Sequence, residues 1–233
     1  LITNSYINIV FKSINFKEIS AMGAERVVGI PGTAGALDAR VMEIEGVKTG
    51  LVMCHPHPLF SGTMDNKVVT TAVRAAKGLG LNTLRFNFRG VGDSEGAHDN
   101  GVGEQQDVAS VVTYAKEVLG WERIVLAGFS FGAGMACLCG CDHSEMIGGL
   151  VLIAPAVHHF DAPTTLPQGI ETWVLMGDAD EVVAFDEVES WVQLVVPQPH
   201  WLVFEGAGHF FHGRITDLKS TLTEELSVFI DSH

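Results

Sequence analysis

Short apolar, β-rich runs and amphipathic runs take turns along most of this chain, and that alternation leaves few folds open. Strand-like segments lie near residues 26–30, 37–44 and 47–55, then at 81–88, 123–129, 148–155, 171–177 and 200–205. Helical patterns at 65–80, 103–120, 131–140, 185–195 and 215–230 fall between or after the later strands. In the second of these, Val108, Val111, Val112, Ala115 and Leu119 recur at three- and four-residue spacing, which draws one apolar stripe along a helix. Gly80 and Gly120 stand where a helix has to end before the next strand begins. A strand-helix-strand repeat needs crossover connections, so the expected fold is α/β: a mostly parallel sheet with helices on both faces. Such sheets bind ligands outside the carboxyl ends of their strands, and chemistry is to be sought there.

Composition supports a packed core and excludes several function classes. Hydrophobic residues make up 47% of the 233 and charged residues 18%, a balance that folds rather than staying disordered. The formal net charge of −14 argues against nucleic acid, whose binders need a cationic surface to displace counterions. The run MIGGLVLIAPAV, 146–157, falls well short of the roughly 20 residues that span a bilayer, so it reads as a buried strand and no membrane partner is expected. Asn4, Asn8, Lys12 and Asn15 interrupt the apolar residues at the start of the chain. No secretory leader is read there, and a cytoplasmic location is expected. Residues 1–21 lack glycine and proline, the chain starts at Leu1, and the composition changes at Met22. That change predicts an N-terminal extension over 1–21 and a single domain over 22–233, with an ordinary extra strand as the alternative for the extension. Cys54 stands alone, while Cys137, Cys139 and Cys141 form a C-x-C-x-C run with no second Cys or His cluster at ligand spacing. These cysteines are expected to be small, reduced core thiols, with no metal.

The stretch LAGFSFGAG, 126–134, places Ser130 between a strand-like run and a helix-like one. A sharp turn there would strain the serine backbone and expose its hydroxyl, and a Cβ at Gly128 or Gly132 would crowd the bend. Gly134 is expected to let the helix approach a neighbouring strand. A serine hydroxyl is a weak nucleophile at neutral pH and needs a base, normally a histidine oriented by a carboxylate. Later strand ends offer both. ETWVLMGDADEVV supplies Asp178 and Asp180, and HWLVFEGAGHFFHG supplies His209 and His212. Asp180 is preferred, because Asp178, directly after the strand, suits a turn-shaping role as acceptor of backbone N–H groups. His209 is preferred because GAGH is a flexible loop that can bring the ring over Ser130, whereas His212 stands at the start of the last helix. His143, His158, His159 and His200 read as surface or loop histidines.

Acyl transfer also needs donors for the tetrahedral oxyanion. The backbone N–H of Phe131 is one, at the positive end of the helix it begins. The loop GLVMCHPHPLFSGTMDN, 50–66, supplies the other. Pro56 and Pro58 have no N–H, which leaves His57 or Leu59, with His57 preferred. His55 and His57 form an H-x-H pair that would need a third ligand to hold a metal, and its strand end is already given to the oxyanion.

Together HPHPLFSGTMDNKVV, RFNFRGVGDSEG, AGFSFGAGMA, GDADEVV and GAGHFF, in this order from Met22 to the C-terminus, resemble the α/β-hydrolase superfamily. Within it they resemble the small bacterial hydrolases with an H-P-H-P loop that are related to dienelactone hydrolase. The resemblance implies an α/β-hydrolase fold and cofactor-independent hydrolysis of carboxylic esters through an acyl-enzyme. Dienelactone hydrolases proper use cysteine where this chain has Ser130, so that substrate is not implied. Ser61 stands where the group often has glycine. Arg89, Asp93 and Ser94 are expected to be structural, with Asp93 a candidate to border the pocket. Only residues 157–170 separate the strand after the nucleophile helix from the next. No substantial lid fits, and an open site favours short-chain esters. The leading expectation is a serine carboxylesterase with Ser130, His209 and Asp180 as its triad and no cofactor, acting on a small-molecule ester. A thioesterase, a peptidase with the same triad, or a non-catalytic ligand-binding protein of this fold are the alternatives. A homodimer is the candidate assembly.

Overall fold

The computed structural model describes residues 23–231; the extension expected over 1–21 lies outside them. Its strands are β1 (Arg26–Gly32), β2 (Gly35–Met42), β3 (Thr49–Cys54), β4 (Asn82–Phe86), β5 (Arg123–Phe129), β6 (Gly149–Ile153), β7 (Glu171–Gly177) and β8 (His200–Phe204). They form one sheet in the order β1-β2-β4-β3-β5-β6-β7-β8. β1 and β2 make an antiparallel hairpin, and β2 pairs antiparallel with β4. Every other pair is parallel, with Cys54 opposite Gly128 and Phe129 opposite Ile153. Consecutive residues of β3, β5, β6 and β7 are buried rather than alternate ones. That is what a parallel sheet covered on both faces requires.

The covering helices are α1 (Lys67–Gly78), α2 (Val102–Glu117), α3 (Phe131–Asp142), α4 (Phe185–Leu194) and α5 (Ile215–Asp231). Asn66 caps α1 by accepting the Val68 N–H at 2.8 Å. The helix packs against α5, whose Leu218, Leu222, Leu226 and Phe229 are buried. The stripe expected on α2 buries Val108, Val111, Val112 and Ala115, whereas Leu119 lies past its end and is half-buried. Gly80 and Gly120 both have positive φ, as a helix stop before a strand needs.

The order of the sheet fixes where a site can lie. The chain runs from β3 through α1 to β4 on one side, then crosses to β5 on the other side of β3. The carboxyl ends of β3 and β5 therefore flank a topological switch point, where the connections diverge and leave a crevice. The connection from β6 to β7 is short, with one 3-10 turn at Val157–His159, and nothing in it forms a lid. One expectation is corrected here. The nearest neighbour of Gly134 is not a strand but Phe160 in that connection, whose Cε1 would lie 2.6 Å from a Cβ there. No helix among the described residues is long and apolar enough to cross a membrane.

Candidate active site

Ser130 is the single residue between β5 and α3, with φ 56° and ψ −116°. A side chain in that region costs about 1–3 kcal/mol and persists only where its surroundings impose it. Here the Ser130 N–H donates to the Ile153 carbonyl at 2.9 Å, and its own carbonyl accepts the N–H of Ala133 at 3.0 Å. The flanking glycines have no room for a side chain. A Cβ on Gly128 would come within 2.2 Å of the Gly132 carbonyl oxygen, and one on Gly132 within 2.4 Å of that of His55. The bend therefore holds the serine in a conformation it would not choose and presses α3 onto the end of β3.

Two loops from later strands converge on the Ser130 hydroxyl. His209, after β8, places Nε2 3.0 Å from Ser130 Oγ and Nδ1 2.7 Å from Asp180 Oδ2. His209 is only 2% exposed, and its ring lies 4.9 Å from that of Phe129 and 5.0 Å from that of Phe210. Asp180, after β7, turns its other oxygen to the N–H groups of Val182 and Val183, both at 2.8 Å. With that oxygen held by its own loop, the carboxylate cannot swing away from the imidazole. Asp178 bonds across to the loop after β8 rather than within its own turn, accepting the Gly206 N–H at 2.6 Å. His212 is exposed in the turn before α5 and bonds neither Ser130 nor Asp180. Glu181 was not singled out from the sequence. It accepts the His209 backbone N–H at 3.1 Å, and a Cβ on Gly208 would meet its carboxylate at 2.6 Å. The acidic residue next to Asp180 in GDADEVV is the signal that could have raised it.

The loop after β3 is built by its two histidines. His55 is fully buried; its Nε2 accepts the Phe88 N–H at 3.0 Å and its Nδ1 lies 2.6 Å from the Pro56 carbonyl. An N–H can only donate, so the His55 proton is on Nδ1 and the ring ties the end of β3 to the end of β4. Burial brings its pKa down to about 4, against the opposing Pro56 bond. His57 Nδ1 accepts the Leu59 N–H at 3.2 Å, which engages the amide of Leu59. Among the described residues the backbone N–H groups of His57 and Phe131 have no acceptor. The two side chains lie together, ring centres 4.7 Å apart. Gly62 closes the loop, since a Cβ there would be 2.1 Å from the Pro56 carbonyl oxygen. Ser61 has a left-handed backbone (φ 62°, ψ 24°), a conformation that glycine adopts without strain.

The remaining candidates take structural positions. Arg89 is buried in a pair with Asp107, and the Ser94 hydroxyl donates to the Asn87 carbonyl and accepts the Asp38 N–H. Asp93 is exposed, with no bond to the residues around Ser130. All four cysteines are free; Cys54, Cys137 and Cys139 are buried and Cys141 is half-buried. Burial pushes the Cys139 thiol up to about 12, which disfavours the thiolate a metal would need. A groove of 750 Å³ runs between the β6–β7 connection and α4, with Phe160 and Trp191 among its walls. Ser130, Asp180 and His209 are not among its lining residues.

Comparison with known proteins bears on the fold and the family. A family model for the α/β-hydrolase fold matches residues 67–174. An uncharacterized protein of Rickettsia prowazekii is 31% identical over 204 residues, covering 84% of this chain and 86% of its own. The structure of an α/β serine hydrolase homologue from Coxiella burnetii is 38% identical, with a TM-score of 0.79 over 87% of this chain and 97% of that one. A Xanthomonas campestris structure, described as a serine hydrolase of this type without a lid, is 32% identical, with a TM-score of 0.82 over 88% of this chain and 94% of that one. Sheet order, strained serine turn and relatives that match along nearly their whole length converge on one assignment: this chain belongs to the α/β-hydrolase family.

Proposed function

We propose that this hydrolase is a serine carboxylesterase that cleaves short-chain esters through an acyl-enzyme. The observation that carries the reading is the unbroken series Ser130 Oγ, His209 Nε2, His209 Nδ1, Asp180 Oδ2, with spacings of 3.0 Å and 2.7 Å. Asp180 keeps a proton on Nδ1, so Nε2 is free to take the proton of the Ser130 hydroxyl as Oγ attacks the ester carbonyl. The carbonyl π electrons move to oxygen, and the amides of His57 and Phe131 donate to the resulting oxyanion. One such donor is worth roughly 2.7–4 kcal/mol of transition-state stabilisation. When the tetrahedral adduct collapses, His209 returns the proton to the leaving alcohol. Water then enters by the same route in reverse roles, giving the acid and restoring Ser130. Among the described residues no lid covers a long acyl chain, which favours short acyl groups. Four free thiols, three of them buried, suit a reducing cytoplasm.

Ser130→Ala is expected to lower kcat for p-nitrophenyl butyrate by about 10⁴–10⁶-fold with the fold intact. A fluorophosphonate probe is expected to label the wild type at Ser130 and not the variant. Wild-type protein that neither labels nor turns over the ester would overturn the esterase reading, and an active Ser130→Ala would overturn the nucleophile.

A further inference from the structure

A second carboxylate-imidazole pair, not used in the acyl-transfer steps above, lies beside the amides assigned to the oxyanion. Glu104, in the first turn of α2, is fully buried and accepts the N–H of Asp99 at 2.9 Å and of Gly101 at 2.8 Å. Its Oε1 also lies 2.8 Å from Nδ1 of His98, off the axis of a linear hydrogen bond but in close electrostatic contact. In a neutral ring the nearby carboxylate oxygen favours a proton over a lone pair on Nδ1 by electrostatics alone, which leaves Nε2 as the acceptor. Among the described residues no group bonds that Nε2.

The His57 ring has the complementary arrangement. The Leu59 N–H occupies its Nδ1, so in the neutral ring the proton is on Nε2, a donor. Burial and the neighbouring imidazoles of His98 and His159 lower the His57 pKa and favour that neutral ring. The rings of His57 and His98 are 5.1 Å apart, and that of His98 is 6.0 Å from Phe131. Two hydrogen bonds of about 2.8 Å meeting at one tetrahedral oxygen span about 4.6 Å, a separation that nitrogens on rings centred 5.1 Å apart can reach. In the tetrahedral adduct the leaving oxygen must face His209 and the oxyanion must face the amides of His57 and Phe131. His98 has its ring contacts with those two residues and none with His209, which puts it on the side of the oxyanion amides, away from the leaving alcohol.

We propose that His57 and His98 together recognise a hydroxyl on the acyl group, and that the preferred substrates are esters of short hydroxy acids. A hydroxyl offers one donor and one acceptor, matching one acceptor nitrogen and one donor nitrogen. A carboxylate has acceptors only and would oppose the His98 lone pair; an alkyl group would strip water from both nitrogens and replace none of its bonds.

The inference rests on the esterase reading, and the test keeps the two separate. Hydrolysis of methyl 3-hydroxybutyrate, methyl butyrate and monomethyl succinate is followed in a pH-stat and compared with the alkaline rates of the same esters. The hydroxy ester is expected to exceed butyrate in kcat/KM by about tenfold beyond the alkaline ratio, the worth of one net hydrogen bond. The hemisuccinate is expected to be the poorest of the three. His98→Phe and, independently, His57→Phe are expected to bring the hydroxy-to-butyrate ratio down to the alkaline one; a ratio within one protein does not depend on how much of it is folded. A wild-type ratio no greater than the alkaline one, a ratio unchanged in both variants, or a preference for the hemisuccinate overturns the recognition pair and leaves the esterase intact. No hydrolysis of any ester, together with no probe labelling, overturns the esterase reading instead.

Discussion

Replacing Asp180 by asparagine tests the site at its most specific joint. One carboxylate oxygen of Asp180 accepts two loop N–H groups at 2.8 Å, and the other lies 2.7 Å from His209 Nδ1. In Asp180→Asn the amide oxygen can keep both loop bonds, so the chain between β7 and α4 stays in place and stability changes little. The amide NH2 then faces Nδ1, and because it can only donate it forces the histidine proton onto Nε2, opposite Ser130. A ring protonated there cannot accept the hydroxyl proton. Kcat is expected to fall by about 10⁴-fold, or about 5.4 kcal/mol of barrier, with KM changed far less. Asp178→Asn is the control: its oxygen still accepts the Gly206 N–H, and the loss is expected to stay below about tenfold. Steady-state hydrolysis of p-nitrophenyl butyrate, with thermal unfolding of both variants, reads the outcome. Equal losses in the two variants, or near-normal turnover in Asp180→Asn, would refute the tautomer argument.

Three further outcomes follow from contacts around the site. Gly132→Ala puts a Cβ against the backbone of Cys54 and His55; the expected cost of about 3 kcal/mol lowers Tm by about 6–12 °C, and an unshifted melting curve would show that the turn has slack. Glu181→Ala frees the backbone N–H of His209 and is expected to cost about tenfold in kcat by misplacing the ring. Glu181→Gln, which keeps an acceptor, should restore most of that rate, and equal defects in both would argue for charge rather than position. His55 is neutral in the fold down to about pH 4 but takes up a proton near pH 6.5 once unfolded. Its contribution is therefore complete above about pH 6.5 and lost as pH falls toward 4, a swing of about 3 kcal/mol. Urea unfolding at pH 7 and pH 4.5 should show this component in the wild type and not in His55→Gln, which keeps one donor and one acceptor without titrating. Identical pH slopes would remove His55 as the source.

Most of the architecture could be read in advance because each element carries a local signal. The three- and four-residue spacing on α2, the glycines that stop helices before β4 and β5, and the apolar runs of the central strands are properties of neighbouring residues. The short 3-10 turns had no such signal, being tightened by the elements they join. The glycines of the serine turn could be justified from strain alone, and the backbone oxygens that crowd Gly128 and Gly132 bear that out. Gly134 could not, because its neighbour Phe160 belongs to a segment whose path nothing local dictates. Glu181 and the pair His98–Glu104 escaped for the same reason: each acts on a residue that only the folded chain brings near.

What the sequence by itself determined was the order of elements, the parallel sheet, and a short set of strand-end residues among which Ser130 and its partners had to be found. Periodicity and turn chemistry act over a few residues, so they are legible without a fold. Turn position ranked Asp180 over Asp178 and His209 over His212, but only tertiary structure brings one carboxylate to one imidazole, because it decides where the turn aims each of them. The same holds for the tautomers of His55 and His57, fixed by the amides of Phe88 and Leu59. Hydrogen-bond direction depends on positions to within a few tenths of an ångström, and only the packed chain sets positions that finely.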